Sequence, residues 1–231
     1  MAKGRGRGAV PAGEDHAAGS VVLVGVLWAL VHSTLASKRA KDLARGVAGP
    51  RYRDGLYRVA YNAQSVVSVA WAARWFSRLP DRELYRARPL LSWLMRTGQL
   101  ASLGVLLSGV RVVGVLDFAG LTRLRNLLAG VDRGPEPEAQ GPPLGSDGEM
   151  DRRGAFRLTR HPGNLGALGF FLFLPRMTVN RAVLAALVAL YVVVGSMHEE
   201  RRLHHAYGAA YERYRRSVPF MMPRLSRRWE P

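Results

Sequence analysis

The chain has no cysteine. Disulfide frameworks, cysteine-based zinc sites and thiol nucleophiles are therefore excluded. Acid is also scarce: 17 Asp and Glu stand against 34 Lys and Arg, a net charge of +17 over 231 residues. Such a balance can signal nucleic acid. Here the basic residues form no single patch, so no nucleic-acid partner is expected. They recur in every connection between apolar blocks, where Lys and Arg of a membrane protein meet lipid headgroups and set orientation.

What the chain does have is apolar residues, 48% of the total, gathered into long blocks with the charges between them. That segregation indicates an integral membrane protein. Residues 1–19 are polar and Gly-rich and are expected to form a disordered tail. The apolar run behind them shows no small-residue cleavage pattern, so it is not expected to be a secretory signal.

Residues 20–130 read as transmembrane helices. Residues 20–37, at about 1.5 Å per residue, just cross a hydrocarbon core of about 30 Å. Residues 56–76 are less apolar. Their Asn62, Gln64 and Ser65 have to face other helices, because lipid offers no hydrogen-bond partner. Residues 90–116 form a third block, in which Gly104 and Ser108 share one face. Residues 131–153 are rich in Pro, Gly and acid and are expected to be a flexible loop.

The last section, 154–225, carries the chemistry. Arg160, His161 and Pro162 precede a short apolar run, 163–175, about 19 Å long if helical. After a turn, residues 181–197 run for about 25 Å and close on Glu199 and Glu200. A helical hairpin brings its two polar ends to one membrane face. Two adjacent carboxylates there need a cation or a hydroxyl-rich ligand, and Arg160 is a planar donor for a carboxylate. Beyond them Leu203, Tyr207, Tyr211 and Tyr214 recur at intervals of three and four, the stripe of an interfacial tail helix. His198, His204 and His205 lack the His spacing of a zincin helix, so no metal site is expected. His32, at the end of the first block, is a weak candidate for a catalytic base. It can equally be a haem ligand or a hydrogen-bonded packing residue. The fold class expected is all-α, a polytopic bundle of about five spans with a C-terminal hairpin and an interfacial tail helix. The most basic connection, 38–58, places the Arg-His-Pro and Glu-Glu ends at the cytoplasmic face of the inner membrane.

"RHPGNLG" followed by "EERRLHHAYGAAYERYRRSVP" resembles the integral-membrane methyltransferases that include isoprenylcysteine carboxyl methyltransferase and the phospholipid methyltransferases. The matching residues are Arg160, His161, Pro162, Gly166, Glu199, Glu200, Leu203, Gly208, Tyr211, Tyr214, Val218 and Pro219. Asn164 stands where that family has an aromatic, and Asn hydrogen-bonds but does not stack. Residues 174–195 and the front half are similar to the bacterial methanethiol S-methyltransferase-like branch. The front half is equally similar to membrane proteins related to a haem-containing isomerase.

The resemblance implies S-adenosylmethionine as methyl donor, held by Arg160, His161, Pro162, Asn164, Gly166, Glu199, Glu200, Leu203, Tyr211 and Tyr214. It implies a small or lipophilic methyl acceptor, with a thiol first and a prenylcysteine-like carboxylate second, and membrane lipid as partner. The alternatives are a haem-binding isomerase or redox accessory protein, and a non-catalytic scaffold.

Overall fold

In the computed structural model the described residues are 12–131, 134 and 141–223. Parts of the expected tail (1–11), loop (132–133, 135–140) and tail helix (224–225) lie outside them. Eight helices follow in order: α1 Ala12–Ala36, α2 Lys38–Ala48, α3 Pro50–Phe76, α4 Pro89–Val113, α5 Val115–Ala119, α6 Leu121–Leu128, α7 Pro162–Leu172 and α8 Val179–Ser217. Two short strands, β1 Glu83–Arg86 and β2 Arg176–Thr178, join them.

Local sequence sets the breaks. Ser37 caps α2, its hydroxyl accepting from the Ala40 amide at 3.2 Å. α3, α4 and α7 each begin with proline in the first turn, where a missing N–H costs nothing. Thr178 caps α8.

The long helices pack as a row, α3 beside α1, α1 beside α8, α8 beside α7 and α7 beside α4. At one end β1 pairs antiparallel with β2, tying the α3–α4 connection to the α7–α8 turn. There the Asp81 carboxylate also accepts from the Asn180 amide at the start of α8, at 3.1 Å. At the other end α5 and α6 bridge from α4 to α3. Asn62 Nδ2 donates to the Phe118 carbonyl at 2.9 Å. Large apolar side chains such as Leu30, Trp71, Trp93 and Leu190 stand on the outside of the row. The buried core is small and lies at one end, where Met150, Phe156, Leu203, Tyr211, Tyr214 and Val218 meet.

Several expectations change. Among the described residues three helices are both long and apolar enough to cross a membrane: His16–Ala36, Pro89–Val113 and Val179–Ser217. α3 is long but too polar, and α7 has only 11 residues. Residues 12–19, expected in the tail, are helical. Within the loop, Leu144 bridges to Met150, Met150 is buried in the core, and Glu149 pairs with Arg213 at 2.7 Å. That part is packed because its few apolar residues find the exposed end of α8. The expected tail helix is divided: its first part continues the last apolar helix, and Gly208, non-helical at φ 50° and ψ −121°, separates it from a second helix that runs to Ser217.

Candidate functional site

The hairpin brings the two polar clusters into contact. Pro162 bars its neighbour from helical geometry. His161 accordingly sits at φ −125°, ψ 64° and ends the approach to α7 with its ring buried. Arg160 Nε donates to Glu200 Oε1 at 2.6 Å. Its Nη1 donates to the carbonyls of Arg215 (2.9 Å) and Val218 (2.7 Å). Those carbonyls belong to the C-terminal end of α8, where helical partners run out. One guanidinium thus joins the entrance of α7, the middle of α8 and its last turn.

His161 lies between both acids. Its Nε2 is 3.2 Å from Glu200 Oε1 and its Nδ1 is 3.3 Å from Glu199 Oε2. Burial alone would push the imidazole pKa down from 6.5. The Glu199 and Glu200 carboxylates outweigh it, and the pKa is raised. Phe220 closes the corner, edge-on to His161 at 5.1 Å and 5.7 Å from the Arg160 guanidinium carbon. The motif arginine and histidine are therefore held by the acids rather than turned away from them.

The remaining expected residues divide. Tyr211 and Tyr214 are fully buried behind the acid pair. Tyr214 donates to the Phe156 carbonyl at 2.9 Å. The buried Tyr211 hydroxyl lies against the Glu200 side chain. Leu203 is buried in the core. Pro162 packs against Gly109 of α4. Asn164 reaches α8, donating to Ser196 Oγ at 2.7 Å. Gly166 faces α4: a Cβ there would stand 2.5 Å from the Ser102 carbonyl oxygen. It serves helix packing.

His32 is held elsewhere, in a network with Tyr61 at Nε2 and Ser65 at Nδ1, stacked on Trp28 at 4.6 Å. Both ring nitrogens are engaged in hydrogen bonds.

Sequence reasoning missed the bend's consequence. On one side of Gly208, Met197, Glu200, Arg201 and His204 line a pocket of about 430 Å³; Tyr211 and Arg215 complete it from the other side. All six come from α8, four before Gly208 and two after it. The signal was a glycine inside the aromatic stripe.

Comparison with known proteins adds a relationship. No family model matches the chain, and no solved structure does. A methanethiol S-methyltransferase of Pseudomonas deceptionensis is 25% identical over 207 residues, 89% of this chain and 72% of that protein. Methanethiol S-methyltransferase 1 of Bradyrhizobium diazoefficiens is 24% identical over 218 residues, 93% of this chain and 71% of that protein. Methanethiol S-methyltransferase 2 of the same organism is 40% identical over 70 residues, 30% of this chain and 27% of that protein. Over most of its length, at modest identity, the chain is thus similar to methanethiol S-methyltransferases, which supports a membrane methyltransferase-like relationship.

Proposed function

We propose that the protein transfers a methyl group from S-adenosylmethionine to a small thiol, at the cytoplasmic face of a five-span membrane bundle. The observation that carries this reading is the contact of Arg160 and His161 with Glu199 and Glu200 beside the pocket at the Gly208 bend. The thiol comes from the names of the relatives, which are methanethiol methyltransferases.

The residues fit such a donor. It carries a carboxylate, an amine, ribose hydroxyls and a positive sulfur. The pocket offers Arg201 and Arg215 for the carboxylate and Glu200 for the positive charge. Its volume lies within the roughly 300–1,000 Å³ of small-molecule sites. Arg160 and His161 position the acids, and Glu199 remains partly exposed, 23% at its side chain.

When bound, the donor supplies an activated methyl group on a sulfonium. The chain has to align the acceptor in line with it and exclude water. No covalent intermediate with the protein is required. Glu200 neutralises the sulfonium's neighbourhood while Arg160 keeps that carboxylate fixed.

Five crossings are compatible with the polar α3 and the short α7. Several polar groups of α3 find partners on other elements, Asn62 on Phe118, Ser65 near His32 and Ser68 accepting from Trp28 at 2.9 Å, while Gln64 Oε1 is buried without one among the described residues. α7 is about 17 Å long, but it packs between α4 and α8. α2 and α6 flank the site end, and α2 carries Lys38, Arg39, Lys41 and Arg45, the basic bias of a cytoplasmic face.

The test is transfer of labelled methyl from S-adenosylmethionine to methanethiol by purified protein in detergent. Labelled dimethyl sulfide is expected. No methylated product with any thiol would overturn the reading.

A further inference from the structure

We propose that Phe220, carried on the strap that follows α8, is a positioning residue for the methyl donor: its ring keeps water off Arg160 and His161 and so holds the Glu200 carboxylate at the pocket. The proposal rests on the methyl-transfer reading above.

The strap is set by sequence. Pro219 disfavours helical geometry at the residue before it. Val218 accordingly sits extended at φ −115°, ψ 132°, and α8 ends at Ser217. Three successive carbonyls then accept from the two residues that precede His161. The Val218 carbonyl takes Arg160 Nη1 at 2.7 Å, the Pro219 carbonyl takes the Arg160 amide at 3.0 Å, and the Phe220 carbonyl takes the Thr159 hydroxyl at 3.3 Å. Thr159 Oγ1 in turn accepts from the His161 amide at 3.3 Å. Val218 and Met221 are buried on either side. Backbone bonds thus register the strap, residue by residue, against the approach to α7, and that register fixes the place of the Phe220 ring.

From there the ring covers both basic side chains. It meets the His161 ring edge-on, at an interplanar angle of 71°. The Arg160 guanidinium lies over its face, the negative side of the ring quadrupole. Beneath it the Arg160 side chain is 9% exposed and the His161 side chain 2%. Phe220 does not line the pocket; it acts through these two residues. They hold the Glu200 carboxylate, which does line the pocket, at 2.6 Å and 3.2 Å. An ion pair open to water is weakened by hydration and screened by salt, and a shielded one far less. Without the ring, water and salt compete with Glu200 for the guanidinium and the imidazole. The carboxylate then loses its fixed place beside the donor.

The experiment is calorimetric binding of S-adenosylhomocysteine to full-length protein in detergent, at about 50 mM and about 500 mM NaCl, where screening lengths differ about threefold. The ratio of the Phe220→Ala Kd to the wild-type Kd is expected to grow about fivefold from the lower salt to the higher, as a newly wetted ion pair is screened. Phe220→Leu keeps the apolar cover and loses only the ring face, so its Kd should stay within about threefold of wild type at both salts. Met221→Ala, a packing control on the same strap, should lower the unfolding temperature and keep the salt response of the wild type. If Phe220→Ala does not fold, Phe220→Gln, which keeps bulk and admits water, takes its place with the same expectation. A ratio equal at the two salts, or the same growth in Phe220→Leu or Met221→Ala, overturns the proposal and leaves methyl transfer standing. A wild type that does not bind S-adenosylhomocysteine overturns both.

Discussion

The two ends of the helix row each hold an arginine–carboxylate pair of the same length. At the ribbon end Arg176 Nε lies 2.6 Å from Glu83 Oε2; at the hairpin end Arg160 Nε lies 2.6 Å from Glu200 Oε1. Their surroundings differ. The first pair has side chains 50% and 35% exposed, the second 9% and 17%. Water screens the first and competes with it. The second is shielded and shares its carboxylate with a buried imidazole, so removing one member strands the others. Equal geometry therefore carries unequal consequence. The ribbon pair pins a turn, and the hairpin cluster builds the wall of a pocket.

The largest way to break this contrast is Glu200→Gln. It leaves a buried guanidinium and imidazole without their shared carboxylate, and a loss of about 3 kcal/mol is expected. Thermal unfolding in detergent measures it. Gly166→Ala comes next. Its methyl would press on the Ser102 carbonyl and on Leu106, an overpacking worth about 2 kcal/mol, visible in the same assay.

His161 gives a smaller effect with a pH signature. Its folded pKa is raised above 6.5, so its stabilisation is complete below pH 6.5 and fades as pH climbs through the folded value. The gap in unfolding temperature between wild type and His161→Gln should be widest in acid and shrink toward alkaline pH. A gap constant with pH would contradict a charged imidazole between the acids. Arg176→Gln, at the ribbon end, should leave the unfolding temperature unchanged.

Much of this site was legible because its parts lie at fixed distances in sequence around an apolar hairpin. Arg160 and His161 on one side and Glu199 and Glu200 on the other needed only a turn between them to meet. What was not legible depended on partners far along the chain. Gly166 reads as a glycine near a ligand until α4 is seen against it. The polar residues of α3 were expected to face other helices, but which partners they meet on α1 and α5 is invisible to composition. The β1–β2 ribbon joins Glu83 to Thr178, a pairing that neither four-residue stretch announces alone.

The most direct test of the account is calorimetric titration of S-adenosylhomocysteine into detergent-solubilised wild type, Glu200→Gln and Arg176→Gln. The account predicts binding by the wild type, undiminished binding by the ribbon-end variant, and at least about tenfold weaker binding by the hairpin-end variant, the loss expected for a charged hydrogen bond of about 1.5 kcal/mol. No binding by the wild type, or equal binding by all three, would contradict it.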